Sequence, residues 1–125
     1  MDFNKLTQKL QEAVASAQSL AAGAGHQEID NPHLLKALLE QHEGLLPRLL
    51  QKMNVPESEL LRRTDELLRR RASVGGAGAG TVRRYASPAL IATLEQAEKE
   101  AAAMQDEFVA VEHAVLAMVS GSGGN

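Results

Sequence analysis

The chain repeats itself at a spacing of 80 residues, so that positions 6–40 lie on positions 86–120 without a gap. Leu10 meets Leu90, Ala17 meets Ala97, Ala21 and Ala22 meet Ala101 and Ala102, His33 meets His113, and Ala37 meets Ala117. Between these identities the residue classes agree as well: Thr7 with Ser87, Val14 with Leu94, Ile29 with Val109, and Leu38 with Met118. An internal repeat of this kind makes each half a supersecondary unit that needs its neighbour to complete a core.

The period inside each half is helical. Thr7 is a good N-cap, and Leu10, Val14, Ala17 and Ala21 then recur every three or four residues along one face. Gly23 and Gly25 end that helix. Asn31-Pro32 is expected to open a second helix, Asn31 as cap and Pro32 at the first position, with an apolar face of Leu34, Leu35, Leu38 and Leu39 up to Gly44. A short third helix is expected from Leu45 to Met53, burying Leu45, Leu46, Leu49, Leu50 and Met53. A fourth runs from about Glu57 to Arg71, turning Leu60, Leu61, Leu67 and Leu68 inward and pairing Glu59 with Arg63 on the wet side. Its arginine-rich face reads either as a solvated surface or as a docking face for an acidic partner.

Residues 72–86 carry four glycines and no period, and read as a flexible connector. The glycine run lacks the Lys-Ser or Lys-Thr of a phosphate loop. Ser87-Pro88 caps the fifth helix, which carries Leu90, Leu94, Ala97, Ala101 and Met104, and a sixth runs from about Val111 to Val119 before a Gly/Ser tail. The expected organisation is therefore a first repeat at 1–71, the connector at 72–86, an incomplete second repeat at 87–120 and a tail at 121–125, folding as one domain. An equal second repeat needs about 26 further residues by the repeat period. The chain is thus expected to be a fragment or a shortened form. Its sixth helix would then show apolar surface and favour self-association.

Composition narrows the chemistry. Aromatic residues are only Phe3, Tyr85 and Phe108, so a core of Leu, Ala, Val and Met suits close-packed helices; the fold class is all-α. A net charge of −3 argues against a general nucleic-acid binder. There is no cysteine, hence no thiolate chemistry. Residues 1–11 do not read as a signal peptide, and no apolar run approaches a bilayer span. Of the four histidines, His26 and His42 fall at expected helix ends, and no His-x-x-x-His pair or carboxylate cluster completes a metal shell. His33 and His113 are equivalent under the repeat, so each is expected to bond a backbone group near a helix start. Asp106, Glu107 and Glu112 gather at the start of the sixth helix, either to complement its dipole or to border a groove.

Leu6-Thr7-Gln8-Lys9, the Ala17–Ala21 segment, the run from Ile29 to Leu39, and Asp106-Glu107-Phe108-Val109 with Glu112-His113 together resemble the Clp N-terminal domain, most closely that of ClpB-type AAA+ disaggregases. The resemblance covers residues 3 to about 120. It implies a non-catalytic module that binds unfolded or aggregated polypeptide in a groove and hands it to an ATP-driven ring. Also implied are ATP and magnesium in modules outside this chain, a hexameric full-length protein, a cytoplasmic location, and no nucleic-acid or membrane partner. The groove positions of the family fall on Thr7, Asp106 and Glu112. Gln96 stands where the family has an apolar groove residue, and Val111 stands where the first repeat has Asn31. The alternative implied is an adaptor-docking domain of a ClpC- or ClpA-type protease unfoldase, with adaptor proteins or co-chaperones as partners.

Overall fold

Thr7 opens the first helix as the sequence requires, its hydroxyl accepting from the Leu10 amide at 3.4 Å. The structure, a computed structural model, describes residues 3–41, 44–71 and 84–120. After a 3-10 turn at Phe3–Lys5 come α1 (Gln8–Gly23), β1 (Glu28–Ile29), α2 (Asn31–Leu39), α3 (Leu45–Lys52), α4 (Glu57–Arg69), β2 (Tyr85–Ala86), α5 (Pro88–Ala103) and α6 (Val111–Ser120). Within each repeat the two leading helices pack on one another, α1 on α2 and α5 on α6, and α4 covers α2. The shared core is built from repeat-equivalent positions: Leu10 and Leu90, Ala17 and Ala97, Ala21 and Ala101, Ala37 and Ala117 are buried in both halves. Alanine on these faces lets the helix axes approach closely.

Several expectations need correction. The cap of α2 is Asp30, not Asn31: the Asp30 carboxylate accepts from the Asn31 amide at 2.8 Å, while His33 Nδ1 accepts from the Asp30 amide at 2.9 Å. This reciprocal pair satisfies two groups that an Asn cap alone leaves open. The matching cap position of α6 is therefore Ala110 rather than Val111. Met53 is 64% exposed, because α3 ends at Lys52 and the left-handed Asn54 turns the chain outward. Leu67 is exposed too, since α4 buries only a narrow stripe through Thr64 and Leu68. Met104 lies past the end of α5 and is exposed. Tyr85 and Ala86 were expected in the connector but form β2; residues 72–83 and His42 lie outside the described residues.

The arginine face of α4 is occupied by its own carboxylates. Arg62 pairs with Glu59 and Glu66, Arg63 with Glu59, and Arg70 with Glu66. Hydrogen bonds from Arg62 and Arg63 hold the Glu59 carboxyl well below its usual range, at about 2. The solvated-surface reading of this face accounts for these pairs.

The repeats are joined crosswise. The lead-in to α1 pairs in parallel with the lead-in to α6: Thr7 N–H donates to the Val109 carbonyl at 2.9 Å and Val109 N–H to the Lys5 carbonyl at 2.8 Å. The lead-in to α5 does the same with that of α2: Glu28 and Ile29 pair with Tyr85 and Ala86, and Ser87 N–H donates to the Ile29 carbonyl at 2.9 Å. Adding 80 to Thr7 gives Ser87, and adding 80 to Ile29 gives Val109. The two pairings are therefore one contact made twice, each time between different repeats.

The same equivalence appears where α1 and α5 end. Gly25 is left-handed, with φ 73°, and its counterpart Gln105 has φ 60°. In both, the next amide reaches back to the helix: His26 N–H to the Ala21 carbonyl at 2.8 Å, and Asp106 N–H to the Ala101 carbonyl at 2.9 Å. A side chain in this conformation costs about 1 kcal/mol that glycine does not. We expect Gln105→Gly to stabilise the chain by about 0.5–1 kcal/mol and Gly25→Ala to destabilise it by a similar amount, measured by urea unfolding.

Candidate functional site

The turns at Gly25 and Gln105 deliver the next side chain onto a histidine seven residues further on. In the second repeat, Asp106 meets His113: Nε2 of the ring and the carboxylate are 2.8 Å apart. In the first, His26 meets His33, Nδ1 to Nε2, at 2.9 Å. The other nitrogen of each central ring caps its own helix. His113 Nδ1 accepts from the Ala110 amide at 2.8 Å, as His33 Nδ1 does from Asp30. Both rings are buried, and both bond backbone near a helix start, as their equivalence under the repeat led us to expect.

These bonds fix the tautomers. A backbone N–H can only donate, so Nδ1 of both His33 and His113 is an acceptor and each carries its proton on Nε2. His113 therefore donates to Asp106. His33 donates to His26 Nδ1, which leaves His26 protonated on its own Nε2.

Thr7, Asp106 and Glu112 are positioned by this framework. Thr7 is half-buried at the start of α1 and bound through its backbone to Val109. Glu112 is exposed in the first turn of α6, three residues beyond Val109. The structure thus brings Thr7 to the start of α6, where Glu112 stands. Asp106 lies on the same lead-in but turns one carboxylate oxygen back to His113, so it has a structural duty as well. Gln96, half-buried on α5, is bound to Glu100 at 3.1 Å. Phe3 and Phe108, about half exposed on the paired lead-ins of α1 and α6, and Leu116 on α6 add apolar surface that the sequence reading did not assign.

The two crosswise contacts differ in one respect. At the α5–α2 contact the Ser87 hydroxyl donates to Asp30 at 2.7 Å, and Asp30 is also paired with Arg71. At the α1–α6 contact Thr7 replaces Ser87 and Ala110 replaces Asp30. The Thr7 hydroxyl proton has no acceptor among the described residues. The first contact is sealed by its own side chains and the second is open. The repeat alignment carries this difference, since Asp30 falls on Ala110 and His26 on Asp106.

Burial lowers the His33 pKa to about 4, with the neighbouring His26 as the second cause. Burial, then Arg71 and Arg84, lower that of His26. The unfolded chain therefore takes up protons on these rings below pH 6.5 that the folded chain refuses. Their contribution to stability is complete above pH 6.5 and is lost as pH falls toward 4. We expect unfolding free energy to drop between pH 6.5 and 5, above the carboxylate range, at up to about 1.4 kcal/mol per pH unit for His33 alone. His33→Gln, which keeps a capping-box residue, should flatten that slope in urea titrations.

Two helix-pair repeats, interlocked at their lead-ins, define a helical double-repeat module. The chain belongs to the Clp repeat (R) N-terminal domain family, whose profile matches residues 5–125. It is 47% identical over 117 residues to the chaperone protein ClpB of Bacillus cereus, a match that covers 94% of this chain and 14% of that protein. The chain thus corresponds to about 14% of the length of that relative. Among solved structures, the N-terminal domain of the ClpV1 ATPase from E. coli superposes with a TM-score of 0.87 at 25% identity, covering 98% of this chain and 72% of that one. A ClpV N-domain in complex with a VipB peptide superposes with a TM-score of 0.77 at 17% identity, covering 97% of this chain and 71% of that one, and shows the shared fold. No helix of the described residues is long and apolar enough to cross a membrane.

Proposed function

We propose that this chain is the substrate-binding module of an ATP-dependent chaperone of the ClpB type. It catches unfolded polypeptide along the edge where α1 and α6 begin and passes it to a cytoplasmic AAA+ ring in the rest of a longer protein. The module itself needs no catalytic group; ATP and magnesium belong to the ring, which is hexameric in this reading. The observation that carries the proposal is the open α1–α6 contact. There Thr7 offers a hydroxyl proton with no acceptor among the described residues, Glu112 offers a carboxylate, and Phe3 and Phe108 stand half exposed. The likeness to ClpB along nearly the whole chain supports it, as does a peptide complex of the same fold.

The physics suits transient capture. Apolar side chains contribute roughly 25 cal/mol per Å² covered, and ordering a disordered client offsets much of that gain. Hydroxyl and carboxylate groups orient the client backbone and cationic side chains without demanding one sequence.

Casein titrated into the isolated domain should shift the amide signals of Thr7, Val109 and Glu112. Thr7→Ala and Glu112→Ala should each weaken binding by about threefold to tenfold, equivalent to the loss of one hydrogen bond or charge contact. Asp106→Asn is the better probe at that position, because the amide oxygen still accepts from His113 and the fold is retained. Binding of a folded adaptor with no response to casein would favour the docking role of protease unfoldases instead.

A further inference from the structure

The far end of α1 borders a second feature, a cleft of about 500 Å³ between α1, α2 and α4. Its volume lies in the range of small-ligand sites. Its lining on α1 starts at Leu20, about 20 Å along the helix from Thr7 at 1.5 Å per residue. The apolar part of its lining comes from Leu20 and Leu68, and its charged part from Lys36, Arg69 and Arg71 against Asp65 alone. Asp65 is already bound to Lys36 at 2.7 Å. Arg71 holds Asp30 and Glu28, and Arg69 has no ion-pair partner among the described residues. Lys36 and Arg71 are thus each offset by carboxylates, and Arg69 is the cation of the lining left to meet a ligand.

His26 gives the cleft its polarity. The ring lines the cleft and is only 4% exposed. Its Nδ1 accepts from His33, so its remaining ring proton is on Nε2, and no group among the described residues takes that proton up. Burial first, then Arg71 and Arg84, disfavour a charge on this ring, so it remains a neutral donor. In the second repeat the equivalent place is taken by the Asp106 carboxylate, an acceptor, so the donor belongs to the first repeat only.

We propose that this cleft receives the C-terminal carboxylate of a polypeptide ending in an apolar residue. The carboxylate accepts from His26 Nε2–H and faces Arg69 and Arg71, while the last side chain rests on Leu20 and Leu68. A neutral ring donor in the cleft wall near Arg69 selects an anionic acceptor, and the apolar lining selects what is attached to it. The site does not depend on the Thr7 edge.

The test uses the short peptide Ala-Ala-Leu with a free carboxylate, its C-terminal amide, and 4-methylpentanoate as a free aliphatic acid, each followed by NMR on the 125-residue chain. The free peptide should shift His26 Nε2 and the amides of Leu20 and Leu68, and bind at least about tenfold more tightly than the amide. His26→Asp copies the arrangement of the second repeat and so keeps a partner for His33. It should retain the fold by circular dichroism yet lose the peptide response, and Arg69→Ala should weaken it. Thr7→Ala should leave it unchanged, which separates this site from the client edge. Equal binding of acid and amide, an unaltered response in His26→Asp, no response up to about 10 mM, or binding of the free aliphatic acid alone would each overturn the proposal.

Discussion

Everything in this fold hangs on the crosswise pairing of short lead-in segments. Leu6, before α1, pairs with Val109, before α6, and Tyr85 and Ala86, before α5, pair with Glu28 and Ile29, before α2. These are small contacts, made by the short β1–β2 ladder and by the backbone amides of Thr7, Tyr85, Ser87 and Val109. They nevertheless set where four helices begin, because each pairing runs up to a cap residue or the residue before it. Helix packing then follows from the alanine and leucine faces that the caps orient.

The histidines finish what the pairing starts. Left-handed turns at Gly25 and Gln105 hand His26 and Asp106 to the rings that cap α2 and α6. One repeat closes this relay with a second imidazole and the other with a carboxylate. The difference gives the first repeat a neutral, proton-refusing pair beside Arg71 and Arg84 and leaves a donor facing the cleft. A similar asymmetry separates the two crosswise contacts. Asp30 seals one with Ser87 and Arg71, and Ala110 leaves the other open beside Thr7 and Glu112. One architecture used twice thus yields one edge closed by its own side chains and one left open.

Much of this was legible in the chain. Helical periodicity placed the six α-helices of the described residues, and Thr7 and Ser87 were readable as caps. The equivalence of His33 and His113 pointed to a backbone role for both. The placement of Asn31 as a cap failed because Asp30 and His33 together satisfy more of the helix end than Asn31 can alone. The strands were invisible because two residues show no alternation. Met53 is exposed because it lies past the end of α3, and Leu67 because α4 buries only the stripe through Thr64 and Leu68. Gln105 carries no sequence mark of a left-handed turn; only its alignment with Gly25 reveals it. Thr7, Asp106 and Glu112 came from likeness to a family, and the reason that edge is open came from geometry.

Native-state hydrogen exchange at Thr7, Tyr85, Ser87 and Val109 tests the crosswise pairing most directly. If it is the keystone, these amides exchange only through global unfolding, with protection equal to that of the most protected amides in α1, α2 and α5. Exchange of Thr7 and Val109 through a low-energy local opening, with the helices still protected, would contradict it and would mean that the α1–α6 edge is not preformed.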